Sequence, residues 1–414
     1  MRYLTILLFL VAVMLIDGHS VRVGEEDRRI WAPVVLAVLT LVLLLRVPLL
    51  LRLPRAVLRS PPLVLFLVYL AWLGITQFWS VAPAEGRNHI LVLWVALLAA
   101  LSLSDEKPYA TATAYLGCLA IVLVVSWLGV AAGQSWTQGT ESTWRLKGLM
   151  KHQQVLALVT IAGMILALVW HLNRKRAEAA GRKWLYAAFM ALALISLLAT
   201  KGRSFSVFFV ITVFAIYFFH MRGAAKTWVL IAGLVIGGSL YVLVDILLPL
   251  ISRGNEETLS GRLIVWELTW REIVDRPWGG FGFASYQDYF YSRWNNWAPG
   301  HAHNLWLQVT FESGVIGAVL YTLFLLAVAR QGHRYQRATG ALSYSLALVV
   351  FCILAGWTSV FLGEKISTLY GLLLVLTFQE EALRARAVAG AATVPSPDPE
   401  ASIEGWRGHA PRPA

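Results

Sequence analysis

The sequence predicts an all-α polytopic membrane protein of about twelve transmembrane helices, with one long loop that carries short helices of its own. Composition is the first observation: 58% of the 414 residues are hydrophobic and 14% are charged, too little polar side chain to cover a water-soluble globule of this size. Apolar runs long enough to cross a bilayer are the second. The third is an excess of aromatic residues, because 18 Trp and 14 Tyr exceed what a core needs, and such rings gather where hydrocarbon meets water. A net charge of +12 raises the question of nucleic acid. The basic residues stand in short loops between apolar runs, however, so no nucleic-acid partner is expected. Cys118 and Cys352 fall inside apolar runs, which leaves no disulfide framework and no thiolate metal spacing.

The runs give spans near 3–17, 31–51, 62–79, 87–103, 109–132, 152–171, 184–200, 203–221, 226–248, 303–329, 339–361 and 366–381. The first run resembles the core of a signal peptide but is followed by no small-x-small cleavage pattern, so it reads as a retained helix. Orientation follows from basic clusters around Arg46 to Arg59, Arg174 to Lys183, Arg222 to Lys226 and Arg330 to Arg337. All four fall on one side of the count, which makes that side cytoplasmic and puts both termini inside. Residues 1–381 form the membrane domain and include a periplasmic loop over 249–300. Residues 382–414, rich in Ala, Pro and Arg, read as a disordered cytoplasmic tail.

The long loop is unlike the other connections, and loops of that length tend to be functional or disordered. Leu259, Leu263, Trp266, Trp270 and Ile273 recur at helical spacing, an apolar stripe suited to the membrane surface. Pro277, Gly279, Gly280 and Gly282 break the chain before a second short helix over Phe283, Tyr286 and Phe290.

Topology accounts for the cytoplasmic basic residues; those on the outer side need another cause. Arg87, Lys151 with His152, and Lys201 to Ser204 each stand where a helix begins at the outer face, and Arg262 follows Ser260 and Gly261 at the start of the loop helix. Unpaired backbone N–H groups point outward at such ends, which suits an anion, and the arginine fork suits phosphate. Lipid headgroups or loop ion pairs account equally well for any one of these arginines. Arg203 and Arg262 form the preferred pair, since each follows a glycine and opens a helix. His303 opens the tenth span after His301 and Ala302, and a neutral imidazole there is a natural general base. A lone histidine at such a place reads more often as an interfacial side chain bonded to backbone. His301 and His303 have no evident third ligand, so no metal is expected. Glu312 reads as a hydrogen-bonding residue inside the bundle. No Asp-x-Asp pair and no Gly-rich phosphate loop with a Lys occurs, which disfavours metal-dependent nucleotide-sugar transfer and ATP use.

Four segments resemble the O-antigen ligase and polymerase superfamily of bacterial envelope glycosyltransferases: RLKGLMKHQQVLA from Arg145, TKGRS from Thr200, SGRLIVWELTWREIVDRPWGGFG from Ser260, and HAHNLWLQVTFESGVIG from His301. The resemblance implies an integral-membrane glycosyltransferase (GT-C-like) fold of the metal-independent, inverting type, without cofactor, in the bacterial inner membrane and acting as a monomer. It further implies an undecaprenyl-pyrophosphate-linked glycan donor and a lipid A core acceptor. Arg203 and Arg262 match the family's pyrophosphate-holding arginines and His303 its catalytic histidine. Arg145, Lys147 and His152 match a less strict outer segment as substrate contacts, and Lys201, His301, Asn304 and Arg271 are expected to join them. Arg271, ahead of Gly282, fits a motif also described in polymerases, so an O-antigen polymerase is the alternative and a non-catalytic lipid-glycan transporter a further one. The family more often has Ser where this chain has Gly202.

Overall fold

The computed structural model describes residues 2–17, 21–23, 26–28, 31–134, 137–138, 144–173, 183–221, 226–228, 233, 262–293, 300–360 and 367–392. Within them the chain is helical, apart from two short antiparallel pairs. These are β1 (Val21–Val23) with β2 (Glu26–Arg28), and β3 (Thr137–Gln138) with β4 (Arg145–Leu146). The helices are α1 (Arg2–Ile16), α2 (Trp31–Leu50), α3 (Arg55–Leu58), α4 (Pro61–Thr76), α5 (Pro83–Ser102), α6 (Pro108–Ala131) and α7 (Gln153–Asn173). They continue as α8 (Lys183–Thr200), α9 (Arg203–His220), α10 (Arg262–Asp275), α11 (Tyr286–Arg293), α12 (Leu305–Thr339), α13 (Tyr344–Ala355) and α14 (Thr368–Ala392).

Local chemistry sets where these helices begin. Pro61, Pro83 and Pro108 stand at the first positions of α4, α5 and α6, where the missing N–H costs nothing. Asn304 and Ser343 cap α12 and α13 by accepting N–H bonds from the first turn. Gly340 closes α12 in the left-handed conformation with φ 71°.

Six of the described helices, α2, α5, α6, α7, α8 and α12, are long and apolar enough to cross a membrane. Shorter apolar stretches in α1, α4, α9 and α13 accompany them, and the protein is a polytopic membrane protein. Each span expected from the sequence coincides with a described helix except 226–248, most of which lies outside the described residues. The boundary at residue 382 is crossed by α14, which stays helical to Ala392. Residues 393–414 lie outside the described residues.

Polar contacts sort the helix ends into two sets. At one end Arg46 of α2 is buried, 2.5 Å from Glu106 and 2.8 Å from Thr5 of α1, so it is an internal tie and not the free loop charge that topology counting makes of it. At the other end Asp17, just past α1, accepts from the N–H of Thr368 at 2.8 Å, and its carboxylate lies 3.6 Å from Lys151 Nζ. This pattern is that of antiparallel helices connected end to end.

The centre of the bundle is α12, which packs along α4, α13 and α14. Gly314 interrupts it with φ 67°, ψ −177°. The loop after α10 docks into this kink: Phe281 N–H donates to Phe311 O, Gly282 N–H to Glu312 O, and Val315 N–H to Pro277 O at 2.9, 2.9 and 2.7 Å. The approach is close enough that a Cβ on Gly314 would lie 2.0 Å from Trp278 O, so only glycine fits. Ile273, Phe281, Tyr286, Tyr289, Phe290, Ala302 and Phe311 then close a second core around α11. Phe283 belongs to the docked turn before α11 and not to the helix itself.

The stripe on α10 differs from the one read in sequence. The inward residues are Val265, Thr269, Glu272 and Ile273, whereas Leu263, Ile264, Trp270 and Val274 are exposed. The loop therefore buries one face of α10 in protein and leaves a second apolar face free.

Candidate active site

His303 sits one residue before Asn304, the N-cap of α12, with φ 53°, a left-handed conformation that is uncommon for a residue with a Cβ. Neighbouring bonds hold it there. Ala302 N–H donates to Gln308 Oε1 at 2.8 Å, and Trp266 Nε1 of α10 donates to Ala302 O at 2.9 Å. Gln308 in turn donates to Glu312 Oε1 at 2.8 Å. Asn304 Oδ1 accepts from the N–H groups of Trp306 and Leu307 at 2.9 and 3.1 Å, and Leu305 N–H donates to Gly356 O at 2.7 Å. The His301–His303 turn is thus tied to α10, to α12 and to the end of α13.

His303 Nδ1 is buried and has no hydrogen-bond partner among the described residues. Such an unmade bond costs about 1–3 kcal/mol, and an exception of this kind calls for an explanation, a catalytic role among them. His301 lies beside it, ring centroids 4.1 Å apart and inclined by 62°, and its Nδ1 accepts the His303 N–H at 3.1 Å. Neutral His301 therefore carries its proton on Nε2. Among the described residues no third His, Cys, Asp or Glu joins them in a metal-binding group.

Burial lowers the pKa of His303 to about 4, helped by the charges of His301, Arg262 and His152. Desolvation is the larger cause, ahead of the surrounding charges. The same four side chains define the local field: Arg262 opens α10, half-buried, and its own pKa is lowered by that burial. His152, just before α7, has its pKa lowered first by burial and then by Arg145, Lys151 and Lys147. Three histidines and a set of cations drawn from β4, α7, α10 and α12 thus act on one another at one end of the bundle.

Arg203 opens α9 as expected, but its side chain lies outside the described residues. Its backbone is held close to α7, because a Cβ on the preceding Gly202 would lie 3.2 Å from the Ala157 Cβ.

Other sequence candidates divide. Lys201 is exposed with φ 53°, and Arg145 is exposed on β4. Asn304 is buried; its Oδ1 accepts the α12 cap bonds and its Nδ2 donates to Trp357 O at 3.4 Å, so it helps to build the site. Arg271 is 70% exposed and paired with Glu267 one turn away; it is not among the charges that act on His303. Sequence reasoning missed Gln308 and the tie made by Trp266. The available signal was polar spacing: Asn304, Gln308 and Glu312 repeat every fourth residue on an otherwise apolar helix.

Residues 188–322 match the family model described as O-antigen ligase. The matched segment runs from α8 to the middle of α12 and so includes Arg203, Arg262 and His303. A Rickettsia conorii protein described as a "putative polysaccharide ligase" is 29% identical over 87 residues, 19% of this chain. The alignment spans 21% of that relative's length. A chain from the solved structure described as "Structural coordination of polymerization and crosslinking by a peptidoglycan synthase complex" superposes with a TM-score of 0.46 at 16% identity, covering 81% of this chain and 98% of that one.

Proposed function

We propose that the protein is an O-antigen ligase that transfers a glycan from undecaprenyl pyrophosphate to a sugar hydroxyl of the lipid A core, at the periplasmic face of the inner membrane. The observation that carries this reading is the buried, unpartnered Nδ1 of His303 in the field of Arg262, within the matched family segment. In the reaction the acceptor hydroxyl gives its proton to His303 as its oxygen attacks the anomeric carbon. The bond from that carbon to the pyrophosphate oxygen breaks, and undecaprenyl pyrophosphate leaves with the electron pair. Arg262 and Arg203 stabilise the charge that grows on the leaving group. A single displacement inverts the anomeric centre. Fixed guanidinium groups do the electrostatic work here, so the reaction proceeds without a bound metal. Lys147, Lys151 and His152 extend the basic field along the donor's diphosphate.

An O-antigen polymerase would share the donor chemistry and differ in its acceptor, a second lipid-linked glycan. Deleting the gene and separating the lipopolysaccharide on a gel distinguishes the two. Loss of a ligase leaves bare core while lipid-linked polymer accumulates; core capped by a single repeat unit would instead identify a polymerase.

A further inference from the structure

A cavity of about 560 Å³ opens at the end of the bundle opposite His303, between the α3–α4 junction, α12 and α14. Its rim is basic. Arg59, Arg330 and Arg334 line it, and among the described residues none of them is paired with a carboxylate. Arg384 also lines it and is held in a two-pronged pair with Glu381 at 2.6 and 2.9 Å. The inner wall is apolar, with Leu65, Leu323 and Ala327, and Leu326 is 54% exposed beside it.

Positive charge at this end is ordinary for a membrane protein, since the topology rule enriches Lys and Arg there. That rule does not explain a concavity, nor two orphaned polar groups in its wall. Ser60, 2% exposed, stands at the N-cap of α4 yet makes no cap bond, and its Oγ has no partner. Gln331, 4% exposed, donates its Nε2 to Thr377 O at 2.8 Å and leaves Oε1 without a partner. Buried polar atoms are normally satisfied, so both point to a ligand.

We propose that this cavity is a binding site for an anionic phospholipid with a hydroxylated headgroup, of the phosphatidylglycerol type. The arginine forks take the phosphodiester. Gln331 Oε1 accepts from a headgroup hydroxyl and Ser60 Oγ bonds a headgroup oxygen. Leu323, Leu326 and Ala327 receive the first methylenes of an acyl chain as it turns into the bilayer. A basic pocket between transmembrane helices at the lipid headgroup level is a known way of holding such lipids, and the volume suits a small amphiphile. The site is independent of the transfer reaction and would hold for a ligase or a polymerase alike.

Native mass spectrometry of the full chain in detergent tests it, with dioleoyl phosphatidylglycerol, dioleoyl phosphatidylcholine and free glycerol 1-phosphate as probes. Arg59, Arg330 and Arg334 are exposed, so their replacement leaves the fold intact, which size-exclusion chromatography checks. The wild type should retain phosphatidylglycerol in preference to phosphatidylcholine. The R59Q/R334Q variant should retain it about tenfold less, Ser60→Ala with Gln331→Leu should lower retention in the same direction, and R52Q, which removes an exposed charge at the same end outside the cavity, should leave it unchanged. Equal retention of the two lipids, an equal loss in R52Q, or displacement of phosphatidylglycerol by glycerol 1-phosphate at similar concentration would overturn the proposal.

Discussion

His303 is a weak base in the free protein, because burial and three neighbouring cationic or titratable groups hold its pKa near 4. That value gives a signed prediction. The imidazole is neutral, and so able to accept a proton, at every pH above about 4. The acid limb of kcat/KM should therefore fall near 4 and not near the ordinary histidine value of about 6.5. Donor binding brings a diphosphate beside Arg262 and offsets its charge, which raises the pKa of His303 in the complex. The acid limb of kcat should then lie at higher pH than that of kcat/KM. Coincident limbs at 6.5 would mean that His303 is solvated and outside this field. The position of the histidine, at the outer start of a helix after His301 and Ala302, was legible in the sequence, and its proposed role as a base came from the family resemblance. What was not legible was the orphaned Nδ1, which depends on how Trp266 and Gln308, distant from each other in the chain, clamp Ala302 from both sides.

At the scale of the element, α12 and the loop that docks on its kink form one mechanical unit. Gly314→Ala forces a Cβ into Trp278 O and demands a left-handed residue, a strain of roughly 1–3 kcal/mol or more. The purified protein should melt several degrees lower, whereas Gly117→Ala, whose Cβ meets nothing within 4 Å, should be neutral or slightly stabilising. Equal melting of the two would show that the docked loop adds nothing to stability. Gln308→Leu leaves the Ala302 N–H unsatisfied and frees the His303 turn. Its kcat should fall about tenfold with little change in KM, because the lost bond positions the base and does not touch the donor. A rise in KM alone would contradict that assignment. The glycines of the loop were visible as breaks in the sequence, but the kink at Gly314 lay inside an expected continuous span and its partnership with the loop was not legible. Backbone-to-backbone docking between segments this far apart leaves no periodic signal.

Across the whole molecule, apolar run lengths gave the helices well because a bilayer-spanning segment must satisfy its backbone internally, and that constraint is written into local sequence. Run lengths said less about which charges are free. Arg46, counted among loop cations, proved to be buried against Glu106 and Thr5, a long-range pairing invisible to a window. The expected orientation can be checked with single cysteines, since Cys118 and Cys352 are buried and give a low background. In spheroplasts, Gln287→Cys in α11 should react with a membrane-impermeant maleimide, and Arg52→Cys only after permeabilisation. The reverse pattern would put the site on the cytoplasmic side.

The most direct test of the central claim is a reconstituted transfer reaction containing the purified protein, undecaprenyl-pyrophosphate-linked glycan and lipid A core, run with a metal chelator present. The wild type should form the joined glycolipid, and His303→Ala should form none while binding the lipid diphosphate with unchanged affinity. Normal turnover by His303→Ala would contradict the account, as would loss of donor binding together with activity.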